Sequence, residues 1–129
     1  GIALLGRAPV TALGSNSLSG PVSGSGSLMK LGTGTLSLKT ANTYTGDTVI
    51  EAGALGIVSP CLYVNRDVYV AAGARFNLDF DGTNTIRCLY LGGERFTTGL
   101  FGRDAAGGPA WFAGAGILKV EPGTTFIIR

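Results

Sequence analysis

An all-β fold built from many short strands is what this sequence predicts, and three observations carry the prediction. Apolar and polar residues alternate with period two in several short runs, and glycine-bearing breaks separate those runs. No segment holds the i, i+3, i+4 apolar spacing with a capping signal that a helix requires, so essentially no α-helix is expected.

Composition agrees. Of 129 residues 22 are Gly, 14% are charged and 45% are hydrophobic, whereas globular chains average about 25% charge and about 7% Gly. Disorder needs low hydrophobicity, and the mean hydropathy is +0.34. The glycine is therefore punctuation between apolar strands. The length fits a single domain over residues 1–129, by the prior of ~100–200 residues per domain.

Taken in order, the half-buried strands are Leu36-Ser37-Leu38-Lys39, Thr48-Val49-Ile50-Glu51 (loosely), Arg75-Phe76-Asn77-Leu78-Asp79-Phe80 and Ile117-Leu118-Lys119-Val120. Between them lie Gly32-Thr33-Gly34, Gly46-Asp47, Ala52-Gly53, Ala72-Gly73, Asp81-Gly82, Gly92-Gly93, Gly114-Ala115-Gly116 and Pro122-Gly123. A sandwich or barrel favours two-residue Asn-Gly or Asp-Gly hairpins, and Asp81-Gly82 is the clean candidate. Ala-Gly-Ala instead recurs at 52–54, 72–74 and 113–115. Short strands repeating with similar turns suggest a solenoid, whose coils bury a core only by stacking.

The stretch from Gly24 to Leu55 is more specific. It runs Gly24-Ser25-Gly26-Ser27-Leu28-Met29-Lys30-Leu31-Gly32-Thr33-Gly34-Thr35-Leu36-Ser37-Leu38, then Ala41-Asn42-Thr43-Tyr44-Thr45-Gly46-Asp47-Thr48-Val49-Ile50-Glu51-Ala52-Gly53-Ala54-Leu55. It resembles the autotransporter-associated β-strand repeat, with Asp47 in place of a common Gly and Leu31 where Thr, Ser or Asn is frequent. Residues 71–86 and 114–120 are similar, more loosely, to the segments found downstream of such repeats. The resemblance implies a right-handed parallel β-helix in a bacterial-type secreted or cell-surface protein. At a coil of ~20–25 residues the chain would make about five or six coils, with 24–55 the clearest repeat and 56–129 the C-terminal coils, including a longer loop near 103–113. Leu36, Leu38, Val49, Ile50 and Leu55 would point inward. Gly32, Gly34, Gly46 and Gly53 would turn the corners with positive φ, and Asn42 would bond its own turn.

Chemistry is hard to find. There is no His, so a Ser-His-Asp triad cannot form and general acid–base work loses its commonest agent. Asp79 and Asp81 stand two apart, as a glycosidase dyad could, yet Asp81-Gly82-Thr83-Asn84 also reads as a turn. Asp79, Asp81 and Asn84 resemble only the start of a calcium loop, without its distal Glu. No cofactor, metal or catalytic residue is assigned, and no enzyme is expected. Cys61 and Cys88 are either a disulfide, as suits a secreted protein, or two buried thiols.

The net charge is +2 with every Lys and Arg standing singly, which argues against nucleic acid, where clustered cations displace counterions. No run approaches the ~18 apolar residues of a membrane helix. Two non-catalytic functions fit. The apolar termini, Ile2, Leu4 and Leu5 at one end and Phe126, Ile127 and Ile128 at the other, could join copies head to tail into a filament. Alternatively Tyr63, Tyr69, Tyr90 and Trp111 could stack on sugar rings of cell-surface glycans, as in an adhesin; Trp111 follows the Gly107-Gly108-Pro109 loop, and beside Phe112 it could equally plug the core.

Overall fold

The computed structural model describes residues 2–4, 7–11, 14–18, 20, 22–40, 43–59, 62 and 66–121, the strands at 2–4 and 7–11 by backbone alone. Asn42, Leu5, Cys61, Tyr63 and the run Phe126 to Ile128 lie outside these residues, as do the side chains of Ile2 and Leu4.

The chain winds as a parallel β-solenoid with no helix among the described residues. The first turn carries β1 (Ile2–Leu4), β2 (Arg7–Thr11) and β3 (Ser15–Leu18), and the second β4 (Val22–Gly24), β5 (Ser27–Leu31) and β6 (Thr35–Leu38). β7 (Thr48–Ile50) and β8 (Ala54–Ile57) form the third, and β9 (Asp67–Val70) and β10 (Arg75–Leu78) the fourth. β11 (Thr83–Ile86) and β12 (Cys88–Leu91) begin the fifth. An excursion then intervenes with β13 (Glu94–Phe96), β14 (Gly99–Gly102) and β15 (Ala106–Gly107), before β16 (Phe112–Ala113) and β17 (Ile117–Val120) rejoin the stack. Three turns thus carry a strand on every face among the described residues, fewer than the five or six coils expected. The third and fourth carry strands on two faces only.

Register explains the stability of this arrangement. In the six-stranded sheet, Ala8, Leu28, Thr48 and Val68 stand side by side at 20-residue intervals, so each coil repeats its side-chain directions over the one before. The inward column of the five-stranded sheet is Leu36, Leu55, Phe76 and Phe112, all at most 2% exposed. Leu38, Ile57 and Leu78 form a second inward column beside it. Burying side chains of this size is worth about 1.5–3 kcal/mol each, and the periodic leucines of the sequence are what the stack consumes.

Two sequence expectations change. Val49 does not point inward: Thr48 and Ile50 do, at 1% and 0% exposure, and alternation turns Val49 to the outer face, where Met29 and Tyr69 flank it. Of the four corner glycines, Gly32 and Gly53 have positive φ (82° and 64°), but Gly34 and Gly46 do not. Gly46 is needed for closeness instead, because a Cβ there would lie 2.1 Å from the Gly26 carbonyl oxygen of the preceding coil.

Asp81-Gly82, a hairpin candidate only for a sandwich or barrel, is a corner of the solenoid. It carries the chain from β10 on one face into β11 on the next. The two-residue hairpin falls at Gly92-Gly93, both with positive φ (59° and 92°), joining β12 to an antiparallel β13 with Leu91 opposite Glu94. That conformation belongs to type I′ turns, whose twist matches that of the strands they join.

Candidate functional site: the outer face of the six-stranded sheet

A solenoid repeats side-chain directions from coil to coil, so a function on its surface appears as columns of residues one coil apart. On the outer face of the six-stranded sheet the central column is Met29, Val49, Tyr69 and Tyr90, with Arg95 beyond it on the antiparallel strand. Tyr69 and Tyr90 stack face to face, ring centroids 4.4 Å apart and planes 11° from parallel, a contact worth roughly 0.5–1.5 kcal/mol beyond burial. Both rings are half-buried. Stacking along the solenoid axis spends a face of each ring on the other and turns the ring edges outward.

A polar column runs beside it. The Ser27 hydroxyl accepts the Asp47 N–H at 3.1 Å, and Asp47 Oδ1 accepts the Asp67 N–H at 2.9 Å. Asp67, buried to 6% exposure, takes a two-point contact from Arg87, Nε to Oδ1 at 2.9 Å and Nη2 to Oδ2 at 3.1 Å, the strong fork geometry of Arg with carboxylate. The hydrogen bond and charge of Asp67 raise the Arg87 pKa. Tyr69 is pushed up to about 12, first by burial and then by the negative charge of Asp67, and its hydroxyl lies 3.4 Å from Asp67 Oδ2.

On the other side of the aromatic column, Glu51, Ala71 and Gly93 are small or outward-reaching, and a hollow of about 150 Å³ opens between the two columns. Val49, Tyr69 and Tyr90 wall it, Ala71 and Gly93 leave it open, and the exposed Glu51 stands on its rim. The hollow is mostly apolar, and at about 150 Å³ it is smaller than the pockets of about 300–1,000 Å³ that enclose small-molecule ligands. Among the described residues no three His, Cys, Asp or Glu side chains gather as a metal site.

Trp111 sits apart from this pair. Its ring lies against Gly92, where an added Cβ would come within 3.1 Å of it, and it packs on the core. Its carbonyl accepts the Phe76 N–H at 2.9 Å. Cys88 is buried at 4% exposure, with Arg95 Nη2 donating to its Sγ at 3.7 Å. Asn84, a turn residue or calcium ligand by its sequence, belongs to β11 and faces inward at 4% exposure. Its Oδ1 accepts the Leu62 N–H at 2.8 Å, and its Nδ2 donates to the carbonyls of Leu62 and Thr85, both at 3.2 Å. It supplies by side chain the coil-to-coil bonds that no strand supplies at Leu62.

Lys30 is the residue the sequence hid most completely, since it reads as one scattered cation. It occupies an inward position beside Ile50 and is fully buried. Its ammonium donates to the carbonyls of Leu31 (2.7 Å), Gly32 (2.8 Å) and Ala52 (3.3 Å), tying a corner of one coil to the next. Burial lowers its pKa. Its place between alternating apolar residues of a strand was the signal that could have found it.

Stacked coils of 20-residue register around an apolar lumen define a parallel β-helix. Residues 28–57 of this chain match the passenger-associated-transport-repeat family. Over 107 residues, 83% of the chain, it is 35% identical to the adhesin BmaC autotransporter of Brucella suis biovar 1, and spans 3% of that protein's length. No solved structure gives a match.

Proposed function

We propose that this chain is a segment of a bacterial surface autotransporter passenger, a non-catalytic β-helix that holds and presents a binding face outside the cell. The observation that carries the reading is the outer face of the six-stranded sheet, where Tyr69, Tyr90, Val49 and Glu51 border a hollow. Cell-surface glycans are the proposed partner: Tyr hydroxyls and the Glu51 carboxylate offer hydrogen bonds to sugar hydroxyls, and the ring edges offer apolar contact. The relative's description as an adhesin supports binding as the task.

Glycan-array binding of the purified chain, with Tyr69→Ala/Tyr90→Ala as the control, tests this. The expected outcome is binding lost at least tenfold in the double variant, with Trp111→Phe retaining it. Equal binding by wild type and the double variant would overturn the assignment of the face.

A second reading is self-association through the terminal segments, Ile2, Leu4 and Leu5 with Phe126, Ile127 and Ile128. β2 and β3 are the outermost strands of the two large sheets among the described residues, and an outermost strand that no other segment covers can take up a strand of another chain. Deleting residues 124–129 should abolish assembly on this reading; assemblies of unchanged mass in light scattering would remove that segment as the connector.

A further inference from the structure

We infer that the hollow beside the stacked tyrosines is a subsite for an acetamido group, so that this face selects N-acetylhexosamine residues among cell-surface glycans. The inference rests on the proposal that the face binds glycans, and it names the sugars. Size comes first. At about 150 Å³ the hollow is too small for the ring of a sugar with its hydroxyls, since pockets that enclose a whole ligand begin near ~300 Å³. It receives one substituent of the ring.

The lining narrows the substituent. Val49, Ala71 and the rings of Tyr69 and Tyr90 present mostly carbon to the hollow, and a hydroxyl moved from water against such walls loses its hydrogen bonds without replacement. A methyl group loses nothing there. One side chain at the rim is free to accept a hydrogen bond. Glu51 takes part in no ion pair among the described residues, whereas the Tyr69 hydroxyl is turned to Asp67 Oδ2 at 3.4 Å and Asp67 is itself held by Arg87. An ionised carboxylate accepts hydrogen bonds and donates none. The hollow therefore fits a group with an N–H at its base and a methyl at its tip, which describes the acetamido group of an N-acetylhexosamine. An ammonium in the same place satisfies Glu51 but is desolvated by the apolar walls, and a carboxylate meets the like charge of Glu51.

The test is binding of the purified chain to matched glycans, read as apparent Kd. One set ends in N-acetylglucosamine or N-acetylgalactosamine, and the other ends in glucose, galactose or glucosamine on the same scaffolds. The N-acetylated members should bind about tenfold tighter, the combined gain of a buried methyl and a hydrogen bond to a charged acceptor. Ala71→Leu, which fills the hollow from a half-buried position, and Glu51→Ala, at an exposed one, should each lose most of that preference. Glu51→Gln keeps an accepting oxygen and should retain it. Thermal unfolding identifies the folded variants, and the two Glu51 variants decide the case if Ala71→Leu does not fold. Binding that shows no preference but is lost in Tyr69→Ala/Tyr90→Ala overturns the acetamido subsite and leaves the glycan-binding face standing. A preference that the folded Ala71 and Glu51→Ala variants retain, or tighter binding of the glucosamine set, also overturns the subsite. Absence of binding to every glycan overturns both this inference and the proposed function.

Discussion

The coils from Val22 to Leu78 and the excursion from Gly92 to Trp111 are both made of short strands, but they obtain order differently. In the coils every inward residue meets its counterpart about one turn away, so Leu36, Leu55 and Phe76 pack as a column and each rung is held by the two beside it. In the excursion β13 and β14 pair antiparallel with strands of the coils, Leu89 with Phe96 and Phe101 with Leu118, β15 pairs parallel with β14, and the turn Gly92-Gly93 sets the first reversal. Repetition distributes stability over many equivalent contacts, whereas an excursion concentrates it on a few particular ones.

The sharpest way to break that contrast is to cut a column. Phe76→Ala removes a fully buried ring between Leu55 and Phe112 and should cost about 3–5 kcal/mol, read as a loss of global stability in denaturant unfolding. Phe101→Ala should cost less in global stability and accelerate exchange chiefly at residues 94–102. Equal global losses would mean that excursion and coils unfold as one unit.

Glycine sharpens the comparison next. At Gly53, with φ 64°, an added Cβ would lie 2.2 Å from the Gly34 carbonyl oxygen of the previous coil, while at Gly93, with φ 92°, nothing lies within 4 Å. Gly93→Ala should therefore cost only the left-handed backbone penalty, about 1–2 kcal/mol. Gly53→Ala adds a clash with backbone that cannot move, and a loss of at least about 3 kcal/mol results if that strain joins the same penalty. Thermal unfolding of the two variants side by side checks the order, and a Gly93 variant as damaged as the Gly53 one would sink it.

The same contrast decides how much of the molecule is legible in its sequence. The coils announce themselves because their partners recur, and alternation in Thr35–Leu38 and Arg75–Leu78 indicates the correct faces. Val49 is misplaced because a run of three apolar or β-branched residues, Thr48-Val49-Ile50, has no visible phase, and only the register settles it. The hairpin at Gly92-Gly93 goes unmarked because Asp-Gly, at Asp81-Gly82, is the stronger local signal, although Gly-Gly meets the same demand for positive φ. Lys30 and Asn84 stay hidden because composition treats charged and amide side chains as surface, while here carbonyls at a coil corner and the backbone of Leu62 satisfy them inside. For the binding face, Tyr69 and Tyr90 stand out as aromatic residues, but their mutual stacking depends on a step of 21 residues between β9 and β12, which the sequence does not mark.

Lys30 joins coils through charge rather than packing, and its pH signature tests that. Its pKa is lowered by burial, so the unfolded chain binds the proton more tightly than the folded one. Stability should then rise with pH from that lowered value up to the ordinary 10.5. Lys30→Met should flatten the rise; a slope unchanged by the substitution would show that the ammonium is solvated.

Tyr69 gives the smallest effect, with the opposite sign, and it probes the outer face alone. Its pKa stands at about 12 against an ordinary 10.0, so the folded state holds the phenol proton more tightly than the unfolded one. The stability this contributes is complete below pH 10 and is lost as the pH rises through about 12. Tyrosinate absorbance should show one ring ionising about two units late, and Tyr69→Phe should remove that late step and soften the alkaline loss of stability. Because burial is the larger cause and Asp67 the second, Asp67→Asn should bring the late step only part of the way back. A full return to the ordinary value would make the polar column, and not the stacked Tyr90 ring and its neighbours, the feature that shapes this face.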